Sequence, residues 1–171
     1  FDVENIDVHG GSLRYYLTHL ENSSIKTSNR VQEIQNQEVI GGLQDENSYL
    51  NFEKMCKNIK QEFCVFLYDA LSQQKKIALY GAAAKGNTFL NYCGISASDI
   101  SFIVDKNPKK CGKYAPGSRI PIKSIDELEI SRPDFIVILP WNLREEIVDE
   151  IAFIRQWGAK FITAIPKLEI F

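Results

Sequence analysis

The residues best suited to chemistry lie between Gly81 and Thr88. The run Gly81-Ala82-Ala83-Ala84-Lys85-Gly86-Asn87-Thr88 follows the apolar segment Ile77 to Tyr80. It fits the phosphate-loop pattern G-x-G-x-x-G/A with alanine at the middle position. A strand that turns sharply into a helix through such small residues leaves backbone N–H groups bare, and the positive end of the helix dipole faces an approaching anion. Lys85 adds a cation. Small residues also serve close helix–strand packing, and the loop alone leaves that second reading open. Asp105 follows Gly86 by 19 residues, near where such folds keep a carboxylate for a ribose hydroxyl. Its alternative is a capping or loop aspartate. The Gly/Pro-rich stretch 106–119 carries four lysines and an arginine. With Asn107 and Lys113 it could serve a diphosphate, or it could be a solvated basic loop. Pro140-Trp141-Asn142 closes a further apolar run and is the third loop signal.

These loops need elements to hold them. Residues 45–74 place Phe52, Met55, Ile59, Phe63, Phe66, Leu67, Ala70 and Leu71 three and four apart, which predicts one long amphipathic helix capped by Asp45, Asn47 or Ser48. A partner-helix or dimerisation role for that stripe is the alternative to core packing. From residue 76 the pattern alternates. Strand Ile77–Tyr80 is followed by a helix to Cys93 closed at Gly94, then strand Ser101–Val104 and a short strand at Pro121-Ile122. A brief helix opened by Ser124 and Glu127 leads to strand Phe135–Leu139. One helix from Asn142 to Trp157, with Glu145 completing its capping box, precedes strand Phe161–Ile165 and an apolar tail, 166–171, that docks. Uninterrupted apolar strands joined by helices predict an α/β, Rossmann-like, doubly wound and mainly parallel sheet. Gly81–Thr88, Asp105 and Pro140–Asn142 then converge at its carboxyl edge, where such sheets bind ligands.

Ahead of this unit, residues 1–22 read as a β-hairpin around His9-Gly10-Gly11-Ser12, with Ser12 and Arg14 as candidate ligands beside the blander reading of a strand arginine. Residues 23–44 are a polar connector, partly helical, and 45–171 form the main domain with its leading helix. Forty-four per cent hydrophobic and 25% charged residues are enough for a core. A net charge of −2 gives no electrostatic case for nucleic acid or a membrane surface. Cys56, Cys64, Cys93 and Cys111 include no C-x-x-C pair, which predicts reduced thiols in a cytoplasmic protein and no metal site. A start at Phe1 reads as a piece of a longer chain.

Several spaced segments together carry a resemblance. They are His9-Gly10-Gly11-Ser12-Leu13-Arg14, the 81–88 loop, Asp105 with Asn107-Pro108, Ile138-Leu139-Pro140-Trp141-Asn142-Leu143, and the ending Ile165-Pro166-Lys167-Leu168-Glu169-Ile170-Phe171. The chain resembles the C-terminal part of S-adenosylmethionine-dependent sugar C-methyltransferases. That resemblance implies a cysteine-rich zinc region and a methyltransferase domain upstream, with the hairpin belonging to the end of the latter. It implies a nucleotide-linked deoxyketosugar as substrate, its diphosphate held between the domains. A base removes a proton beside the keto group and the enolate attacks the methyl sulfonium. The zinc cysteines, the S-adenosylmethionine motif and the catalytic His, Tyr and Glu cluster of that family are missing here. No catalytic residue is therefore expected in this chain, and the cofactor site is expected outside it. The other reading is an NAD(P)-binding domain of an oxidoreductase or regulatory protein, which the loop and Asp105 support equally.

Overall fold

The two central strands are the plainest consequence of the sequence. A computed structural model describes residues 1–171. In it Ile77–Tyr80 (β3) and Phe135–Ile138 (β6) run parallel, with Leu79 opposite Val137. Alternate residues face opposite sides. Ile77 and Leu79 join a core with Phe63, Leu67, Phe89 and Leu90, while Ala78 and Tyr80 join another with Leu128, Ile147, Ile151 and Ile154. Both faces are buried under helices, so no polar alternation appears.

Two compact units make up the chain, residues 1–55 and 56–171. The first holds β1 (Asp2–Ile6) and β2 (Ser12–Tyr16), paired antiparallel, then α1 (Asn29–Ile40) and the start of α2 (Glu46–Ser72). Asp45 Oδ1 accepts the Asn47 N–H at 3.0 Å and so caps α2. The second unit continues α2 and adds β3, α3 (Ala84–Cys93), β4 (Ile103–Val104), β5 (Ile122–Lys123), α4 (Glu127–Ser131), β6, α5 (Arg144–Glu150), β7 (Lys160–Thr163) and β8 (Glu169–Ile170). The strand order is β5-β4-β3-β6-β7-β8, parallel except for β8. This is the doubly wound order of dinucleotide-binding folds, and its switch point lies between β3 and β6.

The polar connector, expected to be partly helical, contains the 12-residue helix α1. Only Val31 and Ile34 are even half-buried along its apolar positions, so no stripe announces it. The elements depart from expectation in two places after it. The helix expected from Asn142 to Trp157 breaks into a 3₁₀ turn (Trp141–Leu143), α5 and a second 3₁₀ helix (Ala152–Trp157). Ile147 and Ile151 are four apart, but Ile151, Ile154 and Trp157 are three apart, and three is the period a 3₁₀ helix stacks on one face. Neither expected capping box forms. Leu143, not Asn142, precedes α5, and Glu127 turns instead to the Ser131 hydroxyl (2.6 Å) and Lys123 (3.0 Å). The tail does dock: β8 pairs with β7, and Phe161 and Phe171 exchange backbone hydrogen bonds of 2.9 and 3.0 Å.

Candidate functional site

The loop after β3 is shaped by contacts that only glycine permits. Gly81 has φ +90°, and a Cβ there would meet Pro140 Cγ and Cδ at 2.5 and 2.6 Å. A Cβ on Gly86 would meet Leu139 Cβ and Cδ1 at 2.8 and 2.9 Å. The two glycines therefore let the amino end of α3 sit against the end of β6. The Gly81 N–H donates to the Val104 carbonyl (2.8 Å) and the Ala83 N–H to the Gly81 carbonyl (2.9 Å). Ala83 is the N-cap in extended conformation, with no side chain to cap the helix, and no acidic residue occupies the first turn. The first-turn N–H groups of α3 thus have no side-chain cap, and the carboxylate at this end, Asp105, is engaged one residue earlier, at the Ala82 N–H. Asn87, on that first turn, has a buried Oδ1 with no partner among protein atoms. Thr88 is turned back, its Oγ1 donating to the Ala84 carbonyl at 3.2 Å.

Asp105 is where the spacing puts it, at the end of β4, but its oxygens face inward. Oδ2 accepts the Ala82 N–H (2.8 Å) and the Lys110 ammonium (2.8 Å), and Oδ1 accepts the Asn107 N–H (2.9 Å). Lys110 Nζ also donates to the Ala82 carbonyl at 3.0 Å, so this peptide is gripped on both sides. Only 7% of Asp105 is exposed. Asp105, expected to take a ribose or sugar hydroxyl, braces two loops in this structure. Lys110, which the sequence did not single out, is the lysine that reaches it, while Lys113 is exposed farther along, next to the Tyr114–Pro121 bridge. Asn107 Oδ1 accepts the Lys109 N–H at 3.0 Å. The spacing Asp105-x-Asn107-x-Lys109 of successive Asx turns was the available signal.

On the β6 side, the 3₁₀ turn carries Trp141 and Asn142, with Asn142 exposed and Trp141 half-buried. Lys85 Nζ lies 5.6 Å from the Trp141 ring centroid, in cation–π range, and links the two loops that flank the switch point. Ser12 and Arg14 belong to the 1–55 unit, where Ser12 Oγ donates to the Val8 carbonyl (3.0 Å) and Arg14 pairs with Glu4 at 3.6 Å. Of the expected residues, 81–88, Asp105, Asn107 and 140–142 gather at one edge of the 56–171 unit.

Residues 7–166 match the C-methyltransferase C-terminal domain. The chain belongs to this family. C-methyltransferase NovU of Streptomyces niveus is 31% identical over 166 residues, which are 97% of this chain and 39% of that protein. The chain thus spans about two fifths of the curated relative's length. A solved structure, UDP-D-quinovosamine 4-dehydrogenase from Vibrio fischeri, is similar at a TM-score of 0.40 and 16% identity, over 57% of this chain and 93% of that one.

One further polar network ties this C-methyltransferase domain together at the same edge. The Tyr80 hydroxyl, one residue before Gly81, donates to Glu150 of α5 (2.7 Å). Lys106, one residue after Asp105, bridges Glu146 and Glu150 at 3.2 Å each. Burial first, and the Glu150 carboxylate second, hold the Tyr80 phenol well above its ordinary value of 10.0. A raised pKa means the folded state resists losing that proton. Its contribution is present below pH 10 and is lost as pH rises beyond it. Urea midpoints of the domain are expected to fall more steeply above pH 10 than those of a Tyr80→Phe variant. Parallel slopes would show that Tyr80 ionises freely.

Proposed function

We propose that this chain is the nucleotide-sugar-holding domain of an S-adenosylmethionine-dependent sugar C-methyltransferase. The observation that carries the reading is the uncapped amino end of α3 at the switch point, with Lys85 and Lys110 on either flank. A diphosphate brings negative charge that suits bare N–H groups, a helix dipole and nearby ammonium groups. The backbone from Gly81 to Gly86 approaches it, Asn87 Oδ1 offers a buried acceptor to a donor on the ligand, and Trp141 and Asn142 border the base or sugar. The similarity to a C-methyltransferase supports the chemistry, and the polar groups gathered at this edge support a substrate handle. Methyl transfer to carbon also needs a base beside the substrate keto group. Tyr80 is buried and tied to Glu150, so that base is assigned to the remainder of the enzyme.

An adenosyl cofactor fits these residues poorly. Its ribose is read in such folds by a carboxylate at the end of the second strand, and here that group, Asp105, is spent on Ala82, Asn107 and Lys110. The same argument counts against NAD(P). S-Adenosylmethionine is therefore assigned to the portion of the enzyme outside this chain.

Residues 1–55 support an interdomain role. Val3 is their one buried apolar residue, while Val39, Ile40, Leu43, Tyr49, Leu50, Phe52 and Met55 are exposed. A two-stranded hairpin is marginal alone, and so large an apolar display marks a covered surface. We assign both to contact with the methyltransferase domain, the hairpin as part of that domain's end. No helix is long and apolar enough to cross a membrane, and four free thiols suit a cytoplasmic enzyme.

Calorimetric titration of this chain with a nucleoside diphosphate sugar, inorganic pyrophosphate and NADH tests the reading. The sugar nucleotide is expected to bind, and Gly86→Val or Asn142→Ala to weaken it roughly tenfold, as misplaced binding groups do. Binding of NADH with no response to sugar nucleotide would overturn the assignment.

A further inference from the structure

The turn carrying Trp141 and Asn142 is anchored by the far end of the chain. Arg144 follows that turn directly, and its N–H donates to the Trp141 carbonyl. Its side chain is fixed by two of the last three residues. Glu169 accepts from Nη1, and the Phe171 ring lies under the guanidinium with its centroid 3.7 Å from Cζ. Phe171 is itself held by Phe161, stacked on it with centroids 5.7 Å apart and paired to it through the backbone. Lys167 also approaches Glu169, at 3.6 Å.

Stability does not explain this arrangement. The Arg144 and Glu169 side chains are each 37% exposed, and ion pairs so exposed contribute little net free energy. What the contacts do remove is freedom. A planar guanidinium held by a carboxylate at its edge and a ring on its face has one orientation, which neither contact alone would define. Because Arg144 is covalently next to the 3₁₀ turn, fixing it fixes the backbone that presents Trp141 and Asn142. From the other side the turn is met by Lys85, whose Nζ lies 5.6 Å from the Trp141 ring centroid, so the tail contact through Arg144 is the one that fixes its carboxyl end.

We infer that Glu169 and Phe171, acting through Arg144, are positioning residues for the nucleotide-sugar site. The carboxyl-terminal tail is then part of the binding apparatus rather than a terminal strap. The inference rests on the function proposed above for that site. It accounts for a tail whose polar and aromatic residues both aim at one arginine, where an apolar strand would have sufficed to close the sheet.

The test uses the two tryptophans as reporters. Trp157 packs against the same core as Phe171, but its Nε1 donates to the Pro133 carbonyl at 3.0 Å, a bond in which neither Arg144 nor the tail takes part, and it serves as the internal control. In ¹H–¹⁵N spectra of Phe171→Leu, Glu169→Gln and Arg144→Lys, the Trp141 indole signal is expected to shift or broaden while that of Trp157 stays. Sugar-nucleotide affinity is expected to weaken about fivefold to tenfold in Phe171→Leu, as for other displaced binding groups, and less in Glu169→Asp, which keeps the carboxylate. Glu169→Gln keeps the test available should Phe171→Leu fail to fold. An unmoved Trp141 signal in folded variants would overturn the inference. So would joint movement of both indoles, which is general loosening. The indole response needs no ligand. Failure of the parent chain to bind sugar nucleotide would therefore overturn the proposed function, with the indole comparison still deciding what the tail does.

Discussion

Replacing Gly81 with alanine is expected to destabilise the domain by about 3 kcal/mol or more, the sum of a backbone and a packing penalty. At φ +90° an L-residue is strained, and such positions cost on the order of 1–3 kcal/mol. The added methyl would also stand 2.5 Å from Pro140 Cγ. A proline ring has no rotamer into which it can withdraw, so either the ring or the loop must move. For a domain of this size the unfolding midpoint should fall by roughly 6–12 °C, on a scale of about 2–4 °C per kcal/mol. Gly112 separates the two penalties. It has φ +80° but nothing within 4 Å of a built Cβ, so Gly112→Ala should carry the strain alone and cost about 1 kcal/mol. The double change Gly81→Ala with Pro140→Ala should recover the packing share but not the strain. Thermal melts of the three variants decide the matter. Equal losses for Gly81→Ala and Gly112→Ala would mean that the loop after β3 does not bear on the end of β6, and the account of the switch point would fail.

That contact also shows what sequence could and could not deliver. The strands Ile77–Tyr80 and Phe135–Ile138 were legible because burial on both faces leaves an unbroken apolar run. The placement of residues 81–88, Asp105 and 140–142 at one edge followed from alternating strands and helices with right-handed crossovers. What the fingerprint could not tell was whether its glycines make room for a phosphate or for a neighbour. Gly81 and Gly86 make room for Pro140 and Leu139, which are 59 and 53 residues away in sequence. The choice among Lys106, Lys109, Lys110 and Lys113 was likewise hidden. It is set by the turns at Asp105 and Asn107, which bring Lys110 back over the Ala82 peptide. Helix α1 was legible only as a partly helical connector, without bounds, because its residues are polar with few apolar anchors. The hold of Glu169 and Phe171 on Arg144 spans about 25 residues and has no local signature.

Asp105→Asn separates the brace seen in the structure from the hydroxyl ligand that the spacing suggested. As a brace, the carboxylate accepts from two backbone N–H groups and an ammonium, and it donates nothing. Asparagine has one acceptor oxygen and one NH₂. Turned to keep Ala82 and Lys110, it sets its NH₂ against the Asn107 N–H and breaks that turn. Turned to keep Asn107, it sets donor against donor at Ala82 and leaves Lys110 without its anion. Removing one member of a buried pair costs about 3–5 kcal/mol. Lys110 is 38% exposed, so water takes up part of its charge and about 2–4 kcal/mol is the expected loss. Lys110→Met should cost less, about 1–2 kcal/mol, because Asp105 keeps both N–H donors. The double variant should lose less than the two single losses added together, since they share one contact. Urea titration of all three, with sugar-nucleotide affinity measured on each folded protein, gives opposite signatures. A brace lowers stability first and affinity only as the loop between Gly81 and Gly86 loosens. A hydroxyl ligand would leave the urea midpoint near that of the parent and weaken binding alone. The second pattern would return Asp105 to the role its spacing suggested and would require its carboxylate to turn outward on binding, releasing the Ala82 peptide at the moment the phosphate arrives.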